Sequence, residues 1–210
     1  MNILRRQLNI VVAAIGVVVT LPVMAVIALL VKVTSRGPVL FVQTRVGIDR
    51  RGPGHQNGNH RRNVNHGGKL FRIFKFRTMS AENNGAQVWA TPDDPRVTRV
   101  GRVLRLFRLD ELPQLINVLL GDMNVVGPRP EQPGIFVKLR EQIRRYGDRQ
   151  RVLPGITGWA QINNSYDRSL SDVERKVAFD LEYIQRQSVL EDVKILLRTF
   201  PVVVGKRGAW

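Results

Sequence analysis

The 210-residue chain contains no cysteine, which excludes disulfide bonds and zinc sites built on thiolates. Its three histidines, His55, His60 and His66, fall in one stretch rich in Gly, Asn and Arg, and their spacing matches no zinc pattern. Acidic residues are scarce, because 17 Asp and Glu stand against 33 Lys and Arg, for a formal net charge of +16. Such an excess requires an anionic partner: nucleic acid, a phospholipid surface or a phosphorylated substrate.

One long apolar run decides between these partners. Residues 7–31 carry no charge and are mostly Val, Ala, Ile and Leu. The run exceeds the roughly 20 apolar residues that a helix needs to cross a bilayer, and it lacks the cleavage site and polar exit of a signal peptide. Aromatic residues are too few for a platform that stacks on single-stranded nucleic acid. We therefore expect a membrane helix with anionic membrane lipid as a partner, and no nucleic acid.

The flanks of this run and one proline bear on its topology. The basic flanking residues are Arg5 and Arg6 before the run and Lys32, Arg36 and Arg45 after it. Under the positive-inside rule, basic residues on both sides place both ends in the cytoplasm. Pro22 frees backbone groups inside the run and favours a break. We predict that residues 1–33 form a re-entrant helix, broken at Pro22, that enters one leaflet and returns; a helix that spans the bilayer is the alternative.

The pattern of residues 34–210 predicts one compact cytoplasmic α/β domain that is mainly helical. Extended residues 39–42 and alternating residues 70–76 predict a short β element. Residues 49–68, rich in Gly, Asn, Arg and His, predict a mobile basic insertion. Helices are predicted at residues 95–109, 113–120, 135–146, 172–187 and 189–204. The helix at 172–187 is amphipathic, and the last is too charged to span a membrane and is suited to an interface.

Two adjacent carboxylates, Asp110 and Glu111, stand in strongly basic surroundings. The arginines upstream recur at every third position: Arg96, Arg99, Arg102, Arg105 and Arg108. Pro113 at the first position of the predicted helix and Gly121 just past its end place the pair at a helix N-terminus. Both the terminus and the cations favour an ionised carboxylate. Asp110 is thus a candidate nucleophile or metal ligand; the alternative is that the pair only caps the helix and binds surface arginines.

Six short motifs follow one another along the chain. They are Thr34-Ser35-Arg36-Gly37-Pro38-Val39, Gln43-Thr44-Arg45-Val46-Gly47, Phe74-Lys75-Phe76-Arg77-Thr78-Met79, Leu109-Asp110-Glu111-Leu112-Pro113-Gln114, Gly127-Pro128-Arg129-Pro130 and Pro154-Gly155-Ile156-Thr157-Gly158-Trp159-Ala160-Gln161. In this order they resemble the bacterial sugar transferase family, the small monotopic phosphoglycosyl transferases. The resemblance runs from about Val11 to the C-terminus, and six motifs in one order are far more specific than one.

The resemblance implies an activity and a place in the cell. Enzymes of this family transfer a sugar-1-phosphate from a UDP-sugar to a polyprenyl phosphate, undecaprenyl phosphate in bacteria, and release UMP. The reaction takes place at the cytoplasmic face of the inner membrane and initiates the assembly of exopolysaccharide or other lipid-linked glycans. The family's re-entrant helix corresponds to the run that contains Pro22.

The resemblance also implies roles for individual residues. Asp110 corresponds to the nucleophile that forms a covalent phosphosugar intermediate, and Glu111 corresponds to a ligand of Mg²⁺. The basic residues implied in binding the phosphates and the nucleotide are Lys75, Arg105 and Arg129, with Arg45 and Arg77 of the same motifs as further substrate-binding candidates.

Elementary chemistry agrees with these roles. The charge of a diphosphate must be neutralised by Mg²⁺ and arginines before a carboxylate can approach phosphorus. A covalent step on Asp110 predicts ping-pong kinetics. Arg129, between two prolines, is pre-ordered to meet a phosphate. The alternative, a non-enzymatic membrane protein that binds polyanions, predicts steeply salt-dependent binding with no requirement for Asp110.

Three features depart from the family pattern. Leu21 precedes Pro22 where relatives often carry Ser, Arg108 stands where relatives often carry a small hydroxyl residue, and the insertion at residues 49–68 is longer and more basic than expected. The sequence leaves open which sugar is transferred, with glucose, galactose and N-acetylated amino sugars as candidates. It also leaves open the oligomeric state, a homodimer included.

Overall fold

The computed structural model describes residues 3–50, 67–80, 94–164 and 169–205. In these ranges the helices are α1 (Ile3–Thr34), α2 (Arg99–Leu106), α3 (Gln114–Leu120), α4 (Pro133–Gln142), α5 (Trp159–Asn163), α6 (Leu170–Arg186) and α7 (Val189–Val204), and the strands are β1 (Leu40–Val46), β2 (Leu70–Phe76), β3 (Asn124–Val126) and β4 (Gly155–Thr157). A mainly helical protein with a small β component and a long apolar N-terminal helix is therefore confirmed. Most of the predicted insertion, residues 51–66, lies outside the described residues.

The four strands form two small sheets. β1 and β2 pair antiparallel with Leu40 opposite Phe76, and β3 and β4 pair in parallel. Asn117 of α3 extends the hydrogen bonding of β2, since its Oδ1 accepts from the backbone N of Phe74 at 3.0 Å and its Nδ2 donates to the carbonyl of Arg72 at 2.7 Å. This amide holds α3 against β2 and so brings the end of β2 beside the segment that precedes α3.

Helix α1 lies along the domain over most of its length. Near its N-terminus, Ala13 packs with Phe71 and Val118, and near its C-terminus Val31 packs with Phe76 and Leu104. The large apolar side chains that it exposes are Ile3, Leu4, Ile10, Val11, Ile15, Val18, Val19, Leu21, Val23, Val26, Leu29, Leu30 and Val33. Only 17% of its most apolar segment is buried, and its length and composition suffice to cross a membrane. A core helix of a soluble domain would be mostly buried, so this exposure favours contact with lipid.

The predicted break at Pro22 is not confirmed, because α1 continues through this residue without interruption. Proline has no N–H and therefore frees the carbonyl four residues earlier, that of Val18. The nearby hydroxyl of Thr20 donates instead to the carbonyl of Gly16 at 2.7 Å. Thr20 thus does not replace the hydrogen bond that Pro22 removes.

The start of α2 differs from the prediction. The sequence predicted a helix from residue 95, whereas α2 begins at Arg99, after Thr98 caps it by accepting from the backbone N of Gly101 at 2.9 Å. The side chain of Arg96 donates to both oxygens of the Asp94 carboxylate. Val97 forms an antiparallel bridge with Met79. This pairing keeps the segment extended. The other four helices are confirmed, although α4 ends four residues before the predicted bound.

Helix α7 packs on the domain through one side and exposes an apolar stripe on the other. Its residue Ile195 is fully buried beside Tyr183 and Val126. The exposed large apolar residues of α7 are Leu190, Val193, Leu197 and Phe200. Their spacing of three or four residues places them on one face of a helix, as expected for a helix at a membrane interface.

Candidate active site

Asp110 and Glu111 lie in a tight 3-10 turn, Leu109–Glu111, between α2 and α3. Arg108 enters this turn in the left-handed backbone conformation, with φ 54°, which is uncommon for a residue with a side chain and is found preferentially at functional sites. The predicted helix after Pro113 is confirmed as α3, and Gly121 ends it with φ 88°, a conformation that glycine adopts without strain. Both carboxylates are buried.

Glu111 is neutralised by two cations from distant parts of the chain. Lys75 at the end of β2 donates to its Oε1 at 2.9 Å. Arg129 donates through Nη2 to Oε1 at 2.6 Å and through Nη1 to Oε2 at 3.3 Å. Burial raises the pKa of Glu111, but the charges of Arg129 and Lys75 outweigh burial and hold this pKa well below its usual range. Glu111 is therefore ionised at neutral pH.

Asp110 has no such partner. Within the described ranges, no hydrogen bond or ion pair engages its side chain. Burial raises the pKa of the Asp110 carboxyl; the charge of Lys75 opposes this rise and the charge of Glu111 adds to it. The sequence argument, which favoured ionisation from the cations and the helix terminus, left out burial.

The loop that carries Arg129 is fixed by close backbone contacts between β3 and β4. Gly127 N donates to the carbonyl of Thr157 and Gly155 N donates to the carbonyl of Pro128, both at 2.9 Å. A Cβ at Gly155 would come within 2.0 Å of the backbone N of Gly127, so only glycine allows this approach. The loop therefore presents Arg129 from a rigid base.

Gln161 of α5 is a site residue that sequence reasoning did not single out. Its Oε1 accepts from Nη1 of Arg129 at 3.1 Å. The residue ends the last of the six motifs, and this position was the signal that could have found it. Through this hydrogen bond Gln161 orients the guanidinium of Arg129. It also lines the cavity described below.

The other three predicted phosphate-binding residues, Arg105, Arg45 and Arg77, make different contacts around Asp110 and Glu111 or away from them. Arg105 donates to the hydroxyl of Thr78 at 3.0 Å; burial lowers its pKa and the charge of Asp110 opposes that shift, so the two are electrostatic neighbours. Arg45 donates to the carbonyl of Pro130 at 3.1 Å and supports the Arg129 loop. Arg77 is buried and donates to the carbonyl and the hydroxyl of Ser35, both at 2.7 Å. This geometry favours a structural role for Arg77 at the end of α1, and its substrate contact stays a prediction.

An apolar cavity of about 200 Å³ adjoins Glu111. Its apolar walls are formed by Phe107, Leu109, Leu112, Leu115, Ile156, Ile162, Val202 and Val203, and its polar lining residues are Arg108, Glu111, Thr157, Gln161 and Thr199. Phe107 is partly exposed, and Phe200 on α7 is 73% exposed beside the lining residues Thr199 and Val202. The cavity thus connects the charged site with elements that expose apolar side chains.

Asp110 and Glu111 are the two acidic residues of this site that could contribute ligands to a metal ion. Mg²⁺ binds to one or two protein carboxylates and takes its remaining ligands from substrate phosphates and water. Glu111 and Asp110 supply such a pair, and no group of three or more acidic or histidine side chains that could hold a metal occurs in the part of the chain that the structure describes. Both oxygens of Glu111 accept from Arg129 or Lys75, so a Mg²⁺ ion would share Glu111 with these cations and take most of its ligands from a phosphorylated substrate and water.

Several known proteins are similar to this chain in sequence. One relative is UDP-glucose:undecaprenyl-phosphate glucose-1-phosphate transferase of Escherichia coli K12, 44% identical over 201 residues, which are 94% of this chain and 39% of that protein. A second is UDP-N-acetylgalactosamine-undecaprenyl-phosphate N-acetylgalactosaminephosphotransferase of Aeromonas hydrophila, 39% identical over 208 residues, 98% of this chain and 45% of that protein. A third is a UDP-glucose:undecaprenyl-phosphate glucose-1-phosphate transferase of Caulobacter vibrioides, 37% identical, with 98% of this chain and 72% of that protein covered.

The chain spans less than half the length of the first two of these relatives. The family model described as bacterial sugar transferase matches residues 1–206, nearly the whole chain. By this match the protein belongs to the bacterial sugar transferase family.

Proposed function

We propose that this protein transfers a sugar-1-phosphate from a UDP-sugar to undecaprenyl phosphate and releases UMP, and so initiates the assembly of a lipid-linked glycan. The observation that carries the proposal is a pair of buried carboxylates: Asp110, whose side chain has no hydrogen-bond partner among the described residues, and Glu111, which is neutralised by Lys75 and Arg129. The names of relatives at 37–44% identity support the two substrates.

The proposed reaction has two displacements at the phosphorus that bears the sugar. An oxygen of Asp110 attacks this phosphorus, and the bond to the bridging oxygen breaks so that UMP leaves. An oxygen of the polyprenyl phosphate then attacks the same phosphorus and releases Asp110 with its carboxylate restored. Lys75 and Arg129 lie where they can meet the negative charge of the phosphates, which is the main contribution a protein makes to phosphoryl transfer.

Glu111, with Asp110 beside it, would hold Mg²⁺. When bound, the ion would neutralise charge on the diphosphate. Lys75 and Arg129 keep Glu111 ionised, and an ionised carboxylate is the form that a metal ligand requires.

The test of this proposal is the release of UMP by purified protein given a UDP-sugar, undecaprenyl phosphate and Mg²⁺. A panel of UDP-glucose, UDP-galactose and N-acetylated UDP-amino sugars identifies the donor, since relatives use both UDP-glucose and UDP-N-acetylgalactosamine. The failure of every donor, together with salt-dependent binding to any polyanion, would instead support the non-enzymatic alternative.

A further part of the proposal is that both ends of α1 lie on the same side of the membrane, as in the predicted re-entrant topology. Arg5 near its N-terminus forms an ion pair with Asp192 of α7 at 2.6 Å. At the other end, Arg77 binds the carbonyl of Ser35. A straight 32-residue helix is about 48 Å long, more than the roughly 30 Å of hydrocarbon in a bilayer. Because both ends contact the same domain, a helix that spans the bilayer would require parts of this domain on both sides of it.

Cysteine labelling tests this topology, and the natural chain offers no competing cysteine. We expect single-cysteine variants Asn2→Cys and Arg36→Cys to be protected from an impermeant maleimide in intact spheroplasts and to react after lysis. This result would place both ends on the cytoplasmic face of the inner membrane. Labelling of one of the two positions in intact spheroplasts would establish a span and contradict the proposal.

The apolar cavity is the proposed place for the first isoprene units of the acceptor. We expect Val202→Trp, which occupies part of the cavity, to raise the KM for undecaprenyl phosphate about tenfold, because the indole takes space that the isoprene units would use and a loss of about 1.4 kcal/mol in binding is tenfold in affinity. UMP release from the UDP-sugar alone, measured as a burst, should not change. The control is Val193→Trp, on the exposed face of the same helix. Equal effects of both variants, or a lost burst in Val202→Trp, would contradict this placement.

A further inference from the structure

Arg149 is a buried arginine outside the six motifs. It lies in the 3-10 segment Tyr146–Arg151 and is 1% exposed. Each of its three nitrogens has a partner: Nε donates to Asp180 Oδ2 at 2.6 Å, Nη1 to the hydroxyl of Tyr146 at 2.9 Å and Nη2 to the carbonyl of Arg129 at 3.0 Å. Arg149 is therefore bonded to the backbone of the residue whose side chain binds Glu111.

Helix α6 supports the Arg129 loop at a second point. Asp180 holds Arg149, and Lys176, one helical turn earlier, donates to Glu131 Oε1 at 2.7 Å. Residues four apart project from the same face of a helix. We call Glu131, Arg149, Lys176 and Asp180 the α6 clamp. It contacts the Arg129 loop at two points: Arg149 binds the carbonyl of Arg129, and Lys176 binds the side chain of Glu131.

The α6 clamp is costly as a purely stabilising device. A buried ion pair loses the hydration of both charges, and apolar residues of similar volume often stabilise a fold as well or better. Arg149 and Asp180 have side chains exposed by only 1% and 2%. The pair with Asp180 fixes the direction in which Arg149 donates to the carbonyl of Arg129, and apolar packing could not do this.

The position of the Arg129 guanidinium depends on how its backbone is held. The side chain makes two contacts to Glu111 and is itself 35% exposed, so its own packing does not hold it. Two-point binding by a guanidinium depends on the plane of the group. A misplacement of about 1 Å at a reacting centre costs up to about 100-fold in rate.

We propose that Arg149, held by Asp180, is a positioning residue that fixes the backbone of Arg129 so that its guanidinium meets Glu111 and the substrate diphosphate. This inference rests on the proposed function for the identity of the substrate. It assigns no contact between Arg149 and substrate.

A double-mutant cycle tests the proposal. We expect Asp180→Asn to lower kcat for UMP release by about 10- to 100-fold. In the Arg129→Met background the same substitution should have little further effect, because the residue through which it acts is gone. An equal loss of kcat in both backgrounds would overturn the proposal. Arg149→Lys, which keeps the buried charge, extends the cycle if Asp180→Asn does not fold, and the same non-additivity is expected of it.

The matched control is Asp192→Asn. It also leaves a buried arginine, Arg5, without its carboxylate after the loss of a 2.6 Å ion pair, but the side-chain hydrogen bonds of Arg5 go to Asp192, Gln187 and Tyr183 rather than to the Arg129 loop. We expect similar falls in Tm for the two variants and a loss of kcat only for Asp180→Asn. A comparable loss of kcat in Asp192→Asn would show that general loosening explains the effect, and would overturn the proposal.

Binding of UDP separates this inference from the proposed function. Calorimetry in EDTA, without metal or turnover, should show a Kd for UDP about tenfold higher in Asp180→Asn and unchanged in Asp192→Asn. The Arg129→Met background should again remove the difference. If the wild type releases no UMP but this binding cycle is non-additive, the proposed function fails and the positioning role stands. An unchanged Kd in folded Asp180→Asn overturns the positioning role alone.

Discussion

Asp110→Asn is expected to lower the rate of UMP release by at least about 10⁴-fold, the loss typical when an enzymatic nucleophile is removed. An amide cannot replace the carboxylate as a nucleophile. Glu111, the other carboxylate of the pair, is bound by Lys75 and Arg129 and does not take over its role. The measurement is UMP release with the UDP-sugar alone and with undecaprenyl phosphate added.

Folding of this variant should be intact. The pKa of Asp110 is raised in the folded protein, so its ionisation opposes folding at pH values above its unfolded pKa. The loss of stability caused by this ionisation is absent well below pH 3.8, the pKa of an ordinary aspartate. It grows as pH rises from that value through the folded pKa of Asp110. Asp110→Asn removes it, and we expect a Tm at pH 7 equal to or above that of the wild type, with the difference shrinking as pH falls toward 4.

The same shift predicts an acid limb in the activity of the wild type. Attack requires the ionised carboxylate, so kcat/KM should fall as pH decreases through a pKa above the usual 3.8 of an aspartate. The control for Asp110→Asn is Asp122→Asn, which removes a carboxylate that pairs with the exposed Lys69. Near-normal UMP release by folded Asp110→Asn would exclude Asp110 as the nucleophile.

The parts of the site that are local in sequence were predictable. Pro113 and Gly121 bound α3 as their backbone preferences require, and the alternation of residues 70–76 gave β2, which carries Lys75. The roles of Glu111 and Arg129 were implied by the family resemblance that the ordered motifs carry. The bounds of α3 and β2 follow from capping and periodicity, which need no knowledge of the tertiary structure.

The parts that depend on long-range packing were not predictable. Arg149 and Asp180 are 31 residues apart, and neither has a local pattern that distinguishes it from the many other charged residues of the chain. Arg77 shares a motif with Lys75 but follows the last residue of β2, and its guanidinium binds the carbonyl and the hydroxyl of Ser35, 42 residues away and just past the end of α1. The start of α2 was misplaced because the bridge between Met79 and Val97 overrides the helix-start signal of Asp94 and Pro95.

The contact between Arg5 and Asp192 joins residues 187 positions apart and makes α1 part of the domain. Arg5 donates to both oxygens of Asp192, and also to Gln187 and to the hydroxyl of Tyr183. Asn9, one turn later, accepts from the backbone N of Val125 in β3 at 2.6 Å. The sequence divided the chain into residues 1–33 and 34–210. These contacts lead us to expect that the second part does not fold by itself.

Arg5→Met should reduce the free energy of unfolding by about 3–5 kcal/mol, because it leaves the carboxylate of Asp192, which is 4% exposed, buried without its cation. Urea unfolding in detergent measures the change. Arg36→Met, at an exposed position beyond the other end of α1, should stay within about 0.5 kcal/mol of the wild type. The double variant Arg5→Met with Asp192→Leu should recover most of the loss, since it removes both charges together. A destabilisation that the second substitution does not reverse would mean that Arg5 acts through Gln187 and Tyr183 rather than through Asp192. The recovered double variant would show that α1 is held to the domain by burial of its N-terminal turn, with the ion pair fixing where that turn docks.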